Sequence, residues 1–565
     1  MPLKPIFEKA PLIVLTDLPL RPGQVRVKHE MMEQLYADMT ALTAEQPLAW
    51  EGAFRLACLL RAKPMEEPCA AWIRAALDRQ GEDGGLPLNV RDAVAVMRAG
   101  LAMYELDARR PLLEKLVSWC GWAAAHWEDV LAERAVRTRP ADLMELLQSL
   151  YRVTGKKALL TLCDRLRQQA MDWSGVLHTF AVQRPMARVT PWADMEAGIE
   201  AEGGSEAGFY TRQYLTCHGE SLADGVRSAS LNGQFSGNGQ ELSAPKIGWE
   251  KISRYHSAVC GGLTADETIG GASPSCGVDA AALGAWAEAL AGLDEENPWA
   301  WEALEELWYN GLPAAMQGDQ PVPYQRVNSL AVSCGTKDCY HVHEVHEQVP
   351  RMLNRLSRGM AKAAFCAVTA RNDGMSVNLY QPGRYAIPMA NGVMVVNMEG
   401  GEGHYTLTLQ TKQSVKATLR LRIPAWAENA CVTVNDEGGE EGHPHTWLTL
   451  ARTWHSGDRI QVDFPRRLTV SEGHHQSACI RYGGEIMAYV PTEDMWAVAL
   501  CGEPEVIDGQ VVAPVRHVPA WHKRGSVPAD LPVLPDTDGE TLRAVLTPYA
   551  EAPCRIALFP RGTKA

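Results

Sequence analysis

The chain has no uninterrupted apolar run of about eighteen residues, so no membrane-spanning helix is expected. It has no stripe of Lys and Arg with interleaved aromatics, and its net charge is −14. Such a surface repels a phosphate backbone, which excludes nucleic acid as a partner. The opening residues, "MPLKPIFEKAPLIVLTDLPL", lack the charged start and continuous apolar core of an export signal. The 14 Cys are scattered and show no disulfide framework. The expectation is a cytoplasmic protein with reduced thiols, most of them inert core residues.

Hydrophobic residues make up 46% of the 565 positions and charged residues 22%, the composition of a globular protein with roughly two to four domains. From about 28 to 365 the apolar spacing is helical. In "PADLMELLQSLYRVTGKKALLTLCDRLRQQAMDW", Leu143, Leu146, Leu147, Leu150 and Tyr151 share a face; Gly155 stops that helix, and a second run spans 159–171. Similar runs cover 50–62 with 69–79, 90–106 with 112–126, and 210–234, 249–261, 278–293 and 299–316. No fixed-period solenoid consensus is present, so serial helix pairs point to a closed (α/α)6 toroid.

From about Gly374 the period becomes two. "KATLRLRI" puts Ala417, Leu419, Leu421 and Ile423 on one face, and several further alternating segments are separated by turns such as "NDEGGEEG". The fold class is α+β: an (α/α)6 toroid followed by antiparallel β-sandwich domains. The expected boundaries are 1–27 (a strand segment packing on the sandwich), 28–368 (toroid, catalytic), 369–472 (sandwich) and 473–565 (a second β-rich domain).

The densest chemistry lies in "SCGTKDCYHVHEVHEQ", 333–348. On an extended segment Cys339, His341 and His343 would share a face, and Asp279 could complete a four-ligand zinc set. Alternatively the segment is metal-free polar lining, since H-x-H with a nearby Cys is not a closed signature.

"LTCHGESLADGV", "CGGLTADETIGGASPSCGVDAAAL", "ALEELWYNGLPAAM", "MSVNLYQPG" and "LRLRIPAWAENACVTVN" resemble segments of the β-L-arabinofuranosidase-like proteins, glycoside hydrolase family 127 (GH127, DUF1680), over roughly 18–486. The resemblance implies a zinc ion held by a Glu-x-Cys pair and a Cys-Cys pair, with a Cys nucleophile. Here Asp279-Ala280-Ala281 stands at the first pair, and the second falls at or next to Cys339-Tyr340-His341, so Asp279, Cys339, His341 and His343 are the implied metal residues. Glu267 maps to the general acid/base and Cys339 to the nucleophile. His218 maps to a sugar contact, and Asp142 stands where other members place one; Tyr309, Asn310, Glu344 and His346 are further candidates for the sugar pocket.

The implied activity is an intracellular exo-acting glycosidase on oligosaccharides. Two alternatives stay open: a carboxylate-based glycosidase of other sugar specificity, in which Glu344 or Glu347 faces Glu267, and a non-catalytic carbohydrate-binding relative with a decayed zinc site. A homodimer also stays open.

Overall fold

The computed structural model describes residues 12–13, 15–39, 45–183, 215–266, 268–274, 277–293, 298–317, 320–328, 349–390, 392–492, 498–519, 537–552 and 554–562. Six helices form an inner ring: α1 (Pro47–Leu60), α2 (Val90–Asp107), α3 (Ala141–Thr154), α4 (Gly219–Ser236), α5 (Ala280–Ala291) and α6 (Val349–Ala367). Each packs on its neighbours in that order, and α6 returns to α1, closing the (α/α)6 toroid. Outer helices such as Lys63–Asp78, Arg110–Ala125, Lys157–Gln169 and Gly239–His256 cover them.

The helix starts and stops have local causes. Asn89 caps α2 by accepting the Asp92 N–H, and Gly155 ends α3 at φ 72°. Where α5 meets α6, a Cβ on Gly359 would lie 2.1 Å from the Gly284 carbonyl oxygen, so only glycine permits that approach.

Two sequence expectations shift. The helix expected from Trp249 begins at Gly239 and runs through Pro245, and α6, absent from the helix pairs read in the sequence, supplies the sixth inner position.

The sandwich has two sheets. One runs Leu18–Pro19, Val368–Arg371, Gly374–Val377, Val415–Ile423, Thr446–Trp454; the other runs Glu437–Gly442, Ala430–Val434, Arg459–Asp463, His404–Gln410, Gly392–Gly401, Gly383–Met389, Val25–Val27. Ala417, Leu419, Leu421 and Ile423 are buried, as their alternation requires. Two smaller sheets follow, one built on Ala478–Tyr482 and one on Gln510–His517. No helix among the described residues is long and apolar enough to cross a membrane.

Candidate active site

The N-terminal ends of α3, α4, α5 and α6 converge at one mouth of the toroid, and their first turns carry the charged groups. His218 caps α4: its Nδ1 accepts the Ser221 N–H at 3.3 Å, which leaves the proton on Nε2. Burial, reinforced by Arg139 and Arg351, drives its pKa well below the usual histidine value, so the ring is neutral.

The backbone at His218 forms an antiparallel bridge with Thr268, and Ile269 donates to the Cys217 carbonyl at 2.8 Å. Thr268 belongs to a hairpin in which Ala265–Asp266 pairs with Thr268–Ile269. The chain on both sides of Glu267 is thereby pinned beside His218, and the hairpin packs on Gly277–Asp279.

Asp279 ends that strand and caps α5. Its Oδ1 accepts the Ala281 N–H at 2.9 Å, and its Oδ2 lies 2.7 Å from Arg351 Nη2. Arg351 Nε also donates to Glu220 at 2.7 Å, and Arg139 and Arg355 reach the same carboxylate. Burial raises the Asp279 pKa against the pull of Arg351, whereas Glu220, with three guanidiniums around it, is held well below the carboxylate range.

Asp142, on the first turn of α3, is not the cap; that position is Pro140. Its carboxylate instead meets Arg358 at 2.5 Å, Arg227 at 3.0 Å and Arg98 at 3.4 Å, and it is fully ionised. It is 32% exposed, the most open carboxylate of the axial network, which continues inward through Glu51, Glu145, Asp224 and Glu288. Buried charges at this density persist only because each has a partner of opposite sign.

Sequence reasoning missed this network, although its signal is present. Arg351, Arg355, Arg358 and Lys362 are spaced by four, three and four residues, as are Glu220, Asp224 and Arg227 by four and three. Those intervals place each set on one helical face.

Tyr309 and Asn310, expected at the sugar, make contacts to the β domains. Asn310 donates to the Gly484 carbonyl and accepts the Ile486 N–H, while the Tyr309 hydroxyl is 3.3 Å from that of Tyr405. Both clamp the toroid to the β domains, because a π-helical turn at Leu307–Gly311 directs them into that junction. Glu267, Cys339, His341, His343, Glu344, His346 and Glu347 lie outside the described residues.

Among the described residues no cluster of three or more His, Cys, Asp and Glu side chains could hold a metal. Asp279 itself does not fit one: one oxygen caps a helix, the other is held by a guanidinium, and the residue two positions on is Ala281 rather than a thiolate.

Residues 374–466 match the family model "Beta-L-arabinofuranosidase, GH127 middle domain". Among solved structures, one described as a glycoside hydrolase superposes with a TM-score of 0.73 at 14% identity, covering 99% of this chain and 100% of that one. A GH127 β-arabinofuranosidase gives 0.65 at 15% identity, covering 97% and 98%. The GH127 β-L-arabinofuranosidase of Geobacillus stearothermophilus T6 gives 0.62 at 16%, covering 92% and 91%. No curated protein matches the sequence. The chain thus has the fold of those glycoside hydrolases, and its residues 374–466 match the GH127 middle-domain model.

Proposed function

We propose that this protein is an exo-acting glycoside hydrolase that removes a terminal sugar, of the β-L-arabinofuranose type, from oligosaccharides in the cytoplasm. The observation that supports the reading is the bridge between His218, the cap of α4, and Thr268, in the hairpin of Ala265–Asp266 with Thr268–Ile269. All eleven cysteines among the described residues are free, in keeping with a reducing compartment.

In this reading Glu267 protonates the glycosidic oxygen as the bond to the anomeric carbon breaks, and Cys339 forms the new bond to that carbon. Water then displaces the sulfur, giving its proton to Glu267. A second reading, with Glu344 or Glu347 as the group opposite Glu267, is favoured by Ala281 standing where a family thiolate would be.

The test is release of nitrophenol from aryl β-L-arabinofuranosides and other aryl glycosides. Glu267→Gln is expected to lower kcat at least a hundredfold. Loss in Cys339→Ser supports the thiol; full activity there transfers the role to Glu344 or Glu347. No activity on any aryl glycoside would overturn the enzyme reading.

A further inference from the structure

The strand Tyr324–Arg326 pairs antiparallel with Gly277–Asp279, with Tyr324 opposite Asp279 and Gln325 opposite Val278. Opposed residues in such a pair share a face, and successive residues alternate between faces. Tyr324 therefore stands on the face of Asp279, and Gln325 on the reverse; both are buried.

The reverse face is held by the C-terminal end of the chain. Gln325 Oε1 accepts the Tyr549 hydroxyl at 3.2 Å and Arg555 Nη1 at 3.1 Å, while its Nε2 donates to the Gly311 carbonyl at 3.3 Å. The Arg555 guanidinium lies over the Tyr549 ring, 4.2 Å from its centre. Arg555 is 0% exposed, and its Nε and Nη2 have no hydrogen bond among the described residues. Such donors are costly to bury, so the Gln325 oxygen and the ring face are what hold this cation in place. Three residues on, Asn328 repeats the connection. Its Oδ1 accepts the Ala557 and Leu558 N–H groups at 2.9 and 3.0 Å, and its Nδ2 donates to the Leu558 carbonyl at 2.8 Å.

A clasp that only joined domains has no need of this strand. Here both side chains belong to the stretch that runs beside the mouth. Gly277–Asp279 carries the hairpin of Ala265–Asp266 with Thr268–Ile269, and Asp279 caps α5 and meets Arg351. We infer that Gln325 is a positioning residue of the mouth, through which Tyr549 and Arg555 set the strand that backs Asp279 and the hairpin. The C-terminal β domain is on this view a part of the site. The kinetic arm of the test rests on the glycosidase reading; the exchange arm does not.

Gln325→Leu removes the acceptor, and Gln325→Glu keeps it for both donors. Kinetics on the aryl β-L-arabinofuranoside are read well below each denaturation midpoint, where a residue that only stabilises the fold leaves kcat unchanged. Gln325→Leu is expected to lower kcat about tenfold or more with little change in KM, and Gln325→Glu to restore most of it. Hydrogen exchange of the 277–280 amides should be about tenfold faster in Gln325→Leu, with those of α3 unchanged. Tyr549→Phe, which deletes one hydroxyl and keeps the ring under Arg555, should quicken exchange at 277–280 in the same sense and decides the matter if Gln325→Leu fails to fold. Wild-type exchange at 277–280 in the folded variants, or an unchanged kcat in Gln325→Leu, would overturn the assignment. A wild type inactive on every aryl glycoside would sink the glycosidase reading instead, and the exchange rates would still show whether Gln325 sets the strand.

Discussion

Arg351 Nη2 sits 2.7 Å from Asp279 Oδ2, joining the first turn of α6 to the residue that caps α5. The same guanidinium reaches Glu220 on α4, so one side chain ties three inner helices at the mouth. Arg351→Gln would strand Asp279, which is 2% exposed, and should cost about 3–5 kcal/mol in urea denaturation. Arg351→Lys should recover part of that loss. Because Asp279 is neutralised by a guanidinium, prolonged dialysis against a chelator should leave both the denaturation midpoint and glycosidase activity unchanged; a drop in either would show a metal at the site.

The axial network makes the fold sensitive to acid. Arg98, Arg358 and Arg55 outweigh the burial of Glu51 and lower its pKa to about 2, from 4.5. A carboxylate depressed in the folded state contributes stability that is complete above the unfolded value and disappears as pH falls toward the folded one. For Glu51 alone that is about 3 kcal/mol, and Asp142, Glu145 and Glu220 shift in the same direction. The midpoint should therefore fall steeply between about pH 4.5 and 2. Glu51→Gln should be less stable than wild type at pH 7, and the difference should shrink on acidification.

Glu305 behaves in the opposite sense. It is buried where the toroid meets the sandwich, sharing Arg422 with Glu302. Burial, with Glu302 adding to it against the pull of Arg422, pushes its pKa up to about 7. A carboxylic acid raised in the folded state contributes stability that is present below its unfolded value and lost as pH rises through the folded one. Glu305→Gln, which fixes the neutral form, should thus match wild type near pH 4.5 and exceed it above pH 7. Equal midpoints at pH 8 would show that Glu305 is ionised throughout.

Fold and site differed in how readily the sequence disclosed them. The apolar faces of α3 and the alternation at 417–423 carry the driving force for burial, so periodicity reveals both. The axis of the toroid is charged instead: α6 buries Arg355 and Arg358 as well as the apolar stripe Met352, Leu356, Met360 and Ala363, and apolar periodicity reveals only the stripe. The start of the helix at Gly239 was hidden because Gly, Ser and Pro weaken its propensity while packing overrides it. The contacts of Tyr309 and Asn310 to the β domains were not legible because helical spacing cannot reveal the π-turn at Leu307–Gly311.

His218 combines a cap and a candidate sugar contact, and two substitutions separate these roles. Its Nδ1 lone pair accepts the Ser221 N–H, so α4 depends on the neutral ring; protonation would place a donor against a donor. A histidine lowered this far should add no limb near pH 6.5 to the profile of kcat/KM. His218→Ala removes the cap and should cost about 1 kcal/mol. His218→Asn can still cap the helix, so it should stay close to wild type in stability. If the imidazole also holds the sugar, the Asn variant should nevertheless raise KM at least tenfold on the aryl glycoside; an unchanged KM there would leave His218 with the cap alone.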